Sequence, residues 1–241
     1  MADLVLDIET VVDPDLPPPP SKDGEKDTFP APPHWQVVTI GVAWVSGRSL
    51  RKLTTIQGTD ERAKLVGFLS AFADQRAPRI VGWNTRGFDV PVIAHRSMRH
   101  GLTWPWYYQA SRGCDPRYRY SDSAQLDLKD WLSDHGSARV VSLDIAAKSI
   151  GLPGKLDTSG GDVAAMYAAG EHEAIDRYCL QDVAQTTALA LRFDLLRGHM
   201  SIEEYGEAMR QWEAVVRDTP GARDLLEHVN LQRLYLPQPS F

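Results

Sequence analysis

Leu4-Val5-Leu6-Asp7-Ile8-Glu9-Thr10 is the stretch on which the fold turns. Residues 4–8 are rich in Leu, Val and Ile, as buried strands are. Side chains alternate along a strand, so Val5, Asp7 and Glu9 share one face and Leu4, Leu6 and Ile8 the other. The two carboxylates then lie about 6–7 Å apart along the strand. At the end of a buried strand such a pair repels and needs a proton, a basic partner or a metal. The plain alternative is a strand that ends in water with both acids solvated. For Asp-x-Glu alone, a short and common pattern, that alternative is the stronger.

Residues 13–33 break every periodicity. Six prolines fall between Pro14 and Pro30, four of them consecutive at Pro17–Pro20, and Pro32 and Pro33 follow. This reads as a long loop, in part polyproline II. Residues 36–56 read as a β-hairpin turning at Ser46-Gly47. Thr59 or Asp60 starts a helix whose Leu65, Phe68, Leu69 and Phe72 share one face, and Pro78 ends it. Arg79–Gly82 is a short strand, followed by a turn at Asn84–Gly87 and a helix from about Asp89 to His100. Residues 101–123 are irregular, with Trp104, Trp106, Tyr107, Tyr108, Tyr118 and Tyr120 among Arg112, Arg117 and Arg119. The plain reading is a loop folded on the core by its aromatics. The alternative is a wall for a single strand, with bases on rings and arginines on phosphates. Candidate helices at 127–134, 143–150, 163–169, 171–196 and 202–216 complete the chain.

Of 241 residues, 43% are hydrophobic and 24% charged, which excludes a mainly disordered chain. No apolar run approaches the roughly 20 residues of a membrane span. The acidic start MADLVLDIET is not expected to be a secretory signal. Two cysteines, Cys114 and Cys179, offer neither a disulfide framework nor a thiolate zinc site, so a cytoplasmic location is expected. The net charge of −6 disfavours a protein that coats nucleic acid but leaves room for one local basic groove.

Two further carboxylates stand out. Asp89 follows a strand and a turn and precedes Pro91, which suits a helix N-cap. Ile175, Tyr178, Cys179, Asp182 and Val183 fall on one helix face, which puts Asp182 on an otherwise apolar stripe beside a tyrosine. Asp7, Glu9, Asp89 and Asp182 together make an all-oxygen set suited to hard divalent cations such as Mg²⁺ or Mn²⁺.

At this point DIET at 7–10, NTRGFD at 84–89 and YCLQD at 178–182 resemble the three exonuclease motifs of the DEDD superfamily. This is the DnaQ-like, ribonuclease H-like group of 3′–5′ exonucleases, and Tyr-x-x-x-Asp is similar to its tyrosine subclass. SLDIAAKSIGLPGKLD at 142–157 and the stretch that follows resemble stand-alone bacterial PolB-like exonucleases. The resemblance implies an α/β, ribonuclease H-like fold: a five-stranded mixed sheet flanked by helices. It would place the exonuclease domain at 1–200 and a helical extension at 201–241.

The resemblance also implies roles. Asp7 would bridge two metal ions, Glu9 and Asp182 would hold the ion that activates water, and Asp89 would act through water. Tyr178 would aim that water. Asn84 and Phe88 would support the site, and Thr10 and Val11 would meet the terminal nucleotide. Arg112, Arg117 and Arg119 are expected to bind the strand. The expected partner is single-stranded nucleic acid, DNA before RNA, with no membrane and no polymerase domain in the chain. RNA 3′-end trimming and a catalytically silent adaptor are the alternatives. Asp127 reads as an N-cap and His172, ten residues before Asp182, as a surface residue.

Overall fold

The computed structural model describes residues 2–17, 29–74, 78–109, 114–156 and 160–236. Strand β1 covers Ala2–Val12, longer at both ends than its apolar run. The reason is its partner. Strand β2, Trp35–Ser46, pairs antiparallel with β1 from Ala2↔Ser46 to Val12↔Trp35, through a bulge between Glu9 and Thr10. Glu9 is therefore inside the strand and buried, and the solvated strand end is excluded.

Strand β3, Ser49–Thr55, completes the expected hairpin. Its two-residue turn is Gly47-Arg48, one residue later than expected, with φ of 57° and 65°. Positive φ at both positions matches the strand twist, and glycine takes the first without strain. Helix α1, Glu61–Asp74, buries Leu65, Phe68 and Phe72. Strand β4, Arg79–Gly82, runs parallel to β1, and strand β5, Gln125–Asp127, parallel to β4. The sheet order is β3-β2-β1-β4-β5, the expected five-stranded mixed sheet with β1 at its centre.

Helix α2 covers Asp89–Arg99, and the short α3 covers Pro105–Tyr108. Then come α4, Leu128–Leu132, α5, Leu143–Ser149, and α6, Val163–Ala168. Helix α7 is the long His172–Leu196, followed by α8, Ile202–Asp218, and α9, Leu231–Leu234.

Alternation along β1 builds a core on each face. Leu4, Leu6 and Ile8 pack with Phe68, Phe72, Ile93 and Trp104. Val5 joins Val81, Val183, Leu189 and Trp212 on the other side. The segment expected as an extension contributes Tyr205, Met209, Trp212 and Val216 to that same core. Trp104 and Trp106 pack against Phe72 and each other, and Tyr107 stacks on Trp104, so this part of the irregular stretch is core cover.

The proline-rich segment is tied at both roots. The Asp13 N–H donates to the His34 carbonyl at 2.7 Å. The buried Arg96 guanidinium binds both Asp13 and Glu61, with 2.7 and 2.6 Å to the two Glu61 oxygens. Residues 18–28 of that segment lie outside the described residues.

Candidate active site

Asp7, Glu9 and Cys179 bring their ligand atoms within 4.8 Å of one another, one group from each of two β1 positions and one from α7. A glycine lets the helix approach. Gly41 of β2 pairs with Asp7, and a Cβ there would stand 2.7 Å from Cys179 Sγ and 2.9 Å from Val183 Cγ2. No side chain larger than hydrogen fits while α7 lies this close, so Gly41 seats the Tyr178–Asp182 turn over β1. The Cys179 thiol donates to Asp7 Oδ2 at 3.6 Å. Ile175, Tyr178, Cys179, Asp182 and Val183 are all buried, as the stripe requires.

Asp89 does not take the role of its plain alternative, a helix cap. It is the first residue inside α2, and Phe88 occupies the cap position. The Asp89 Oδ1 accepts the N–H of Ile8 at 3.0 Å. The cause lies in the sheet: β4 pairs with β1 only over Asp3–Val5, so the β1 backbone beyond needs another acceptor. Asp89 supplies it and is thereby fixed beside Asp7 and Glu9. Asp127 caps α4 as expected, accepting from the N–H groups of Lys129 and Asp130. It also accepts from Asn84 N and Arg86 N, each at 2.9 Å, and so fastens the turn that precedes Asp89.

One cation at the site lies in the 142–157 stretch, where the sequence gives it no role. The Lys155 ammonium lies 5.9 Å from the centroid of the Tyr178 ring and attracts Glu9 and Asp182. Its loop is held by Gln185, one turn beyond Asp182, whose amide pairs with Gly154 N at 2.7 Å and Gly154 O at 3.1 Å.

The expected strand-binding residues are placed unevenly. Thr10 is half-buried, whereas Val11 is buried with Val38, Val163, Ile175 and Tyr178 and so faces core instead of solvent. Asn84, at φ 66°, accepts from Lys129 Nζ at 3.0 Å. Phe88 is half-buried against Trp35. Arg119 is engaged by Asp130 through two bonds of 2.9 and 2.8 Å. Arg117 lies over the Tyr108 ring, and both arginines line a cleft of about 550 Å³ with Asn84, Arg86 and Lys129. Arg112 lies outside the described residues. His172 is an exposed residue at the start of α7.

The model of a family described as predicted 3′–5′ exonucleases related to the exonuclease domain of PolB matches residues 27–231. The chain belongs to this family. The match holds Asn84, Asp89, Tyr178 and Asp182 and begins after β1, so Asp7 and Glu9 join the site through geometry. Among solved structures, the family B DNA polymerase of the hyperthermophilic archaeon Pyrobaculum calidifontis is similar in fold, with a TM-score of 0.56 and 19% identity. The similarity covers 88% of this chain and 29% of the polymerase. No curated protein matches.

In this PolB-like member the carboxylates repel. Burial pushes Asp7 well above the usual range, and Asp89, Glu9 and Asp182 push it further. Burial and then Asp182 and Asp89 raise Glu9, with Lys155 opposing. Burial carries Asp89 up to about 7, and Asp182 up to about 6 against the pull of Lys155. Burial also raises Cys179, which stays a neutral thiol and leaves the oxygens as the donors. Such a set fits a divalent cation: hard oxygen donors with too much negative charge for one lysine.

A pH dependence follows. A raised carboxyl stabilises the fold below its unfolded value, near 4, and loses that contribution as pH climbs through its folded value. With Asp182 at about 6 and Asp89 at about 7, the loss falls between pH 4 and 7. Asp13, Glu61 and Asp122 are lowered by their arginines, so they lose their contribution only under more acidic conditions. In EDTA the chain is expected to melt lower at pH 8 than at pH 5. Adding Mn²⁺ at pH 8 raises the melting temperature, because the cation binds the native state. Thermal melts at both pH values check this, and identical melts without a Mn²⁺ response would refute the crowding.

Proposed function

We propose that the chain is a divalent-metal-dependent 3′–5′ exonuclease of the tyrosine subclass that hydrolyses single-stranded DNA to 5′-mononucleotides. One observation carries this reading: Asp7, Glu9, Asp89 and Asp182, from a strand, a helix start and a helix face, repel one another in one buried place. That is costly for a merely structural cluster. Family membership supports the direction and the bond attacked.

Asp7, Glu9 and Asp182 would hold two Mg²⁺ or Mn²⁺ ions, with Asp89 acting through water. Bound, such a pair acidifies water and clamps the attacking and leaving oxygens of a phosphodiester. The residues of the chain do the rest. Burial, and next Asp182, raise the pKa of Tyr178, so its phenol keeps its proton and aims water instead of taking a proton from it. Its hydroxyl lies within hydrogen-bonding reach of Asp182. Lys155 offsets the charge of Glu9 and Asp182 and favours their ionised forms. Asp127 holds the Asn84–Arg86 turn in place through two backbone bonds.

The test uses 5′-labelled and 3′-labelled single strands of DNA and RNA with Mg²⁺, Mn²⁺ or EDTA. The expected result is a shrinking ladder from 5′-labelled DNA, immediate mononucleotide release from 3′-labelled DNA, and silence in EDTA. Faster RNA cleavage would reassign the polymer and keep the chemistry. No cleavage of either polymer would sink the proposal.

A further inference from the structure

Phe29, where the proline-rich segment rejoins the described chain, is 72% exposed, although it is wholly apolar. One side of its ring lies on Trp35, with centroids 4.8 Å apart and planes 33° apart. Phe88 stands 5.6 Å from it and meets Trp35 edge-on at 5.8 Å. Trp35 is itself pinned, because its indole N–H donates to the Pro30 carbonyl at 2.8 Å. Three rings thus form a braced group with the Phe29 ring open to solvent. Val12, paired with Trp35, extends the apolar surface at 48% exposure.

The position gives this surface a meaning. Phe88 immediately precedes Asp89. Val12 lies three residues past Glu9, about 10 Å along the strand at roughly 3.3 Å per residue. About three stacked nucleotides, at about 3.4 Å each, span that distance. An isolated exposed aromatic needs no explanation, but a braced ring beside a carboxylate cluster has the form of a stacking platform.

We propose that Phe29, backed by Trp35 and Phe88, stacks an unpaired nucleobase of the bound strand within a few nucleotides of the 3′ end. Phe29 is then a specificity-determining residue that favours single strands, because a paired base has no free face to offer. The inference rests on the exonuclease reading and adds a subsite supplied by the proline-rich segment. Arginine contacts read phosphates and weaken with salt, whereas this contact reads bases and keeps its strength in salt.

The test is equilibrium binding of fluorescein-labelled (dT)₈ to the full chain in EDTA, beside (dT)₈ analogues with one abasic site at each of the last three positions. One abasic strand is expected to bind more weakly than (dT)₈ to the unaltered protein. Phe29→Ala should weaken (dT)₈ by about five- to hundredfold, the range of one base–aromatic stack. It should leave the weak abasic strand unaffected, and Phe29→Trp should restore (dT)₈ binding. The melting temperature of Phe29→Ala should stay within a degree or two, since little of the ring is buried. Equal losses on (dT)₈ and every abasic strand, or no loss at all, would overturn the platform. A protein that binds this way but cleaves nothing in Mn²⁺ would refute the exonuclease reading and leave the platform standing. A protein that cleaves with Phe29→Ala binding unchanged would do the reverse.

Discussion

Asp7→Asn is expected to abolish cleavage while raising the melting temperature of the metal-free protein. Both effects come from one charge. Asp7 stands beside Glu9, hydrogen-bonded to Cys179, and is pushed upward by Asp89, Glu9 and Asp182 together. Asparagine keeps the shape and removes the repulsion, so the fold loses a cost at pH 8. On the proposed function, the same change removes a carboxylate that would hold the metal. Metal stabilisation of transition-state charge is worth several kcal/mol. At about 1.4 kcal/mol per tenfold, the expected loss of rate is about 10³-fold or more. The Mn²⁺-dependent rise in melting temperature should shrink with it. Melts with and without Mn²⁺ and a single-turnover assay measure all three effects. A variant as active as the unaltered chain would end the metal-site proposal.

Tyr178→Phe should separate aiming from holding. The ring is buried against Val11, Val38, Val163 and Ile175, and phenylalanine keeps that packing. Only the hydroxyl is lost, and with it the group facing Asp182. Since burial keeps this phenol protonated, the contribution proposed for it is orientation of the attacking water. Positioned acid–base and orienting groups contribute about 10²–10⁴-fold. A loss near the lower end is expected, smaller than for Asp7→Asn, with the Mn²⁺ response of the melting temperature intact. A purely structural tyrosine predicts the opposite pair of results: a lower melting temperature and an unchanged rate.

Much of this site is written in local pattern. The hairpin, α1 and the β4-turn-α2 unit appear as periodicity and turn chemistry, because each is built from neighbours in the chain. Asp182 was legible for a similar reason. A carboxylate at the seventh position of an apolar helix stripe has to face what the stripe faces. Asp7 and Glu9 were legible as a shared strand face, but not as buried. Their burial depends on β2 running on to Val12↔Trp35, a pairing between distant residues that an apolar count of β1 alone does not contain.

The rest was decided only in three dimensions. Asp89 has the sequence of a cap and instead serves the Ile8 N–H, because β4 leaves β1 after Val5. Lys155 sits on a loop with no periodicity, and it reaches Glu9 and Asp182 through the grip of Gln185 on Gly154. Arg119 looked free among aromatics and is engaged by Asp130. Phe88 is far in the chain from Phe29 and Trp35 and shares no motif with them, yet the three rings meet. By itself the sequence determined most of the strands and longer helices and which residues carry charge onto apolar faces, since those follow from spacing along one element; the short α3 and α9 were not legible in it. Which charges confront one another, which cations answer them and which rings stay open to solvent were decided by the tertiary structure, because burial and Coulomb energy depend on distance through space.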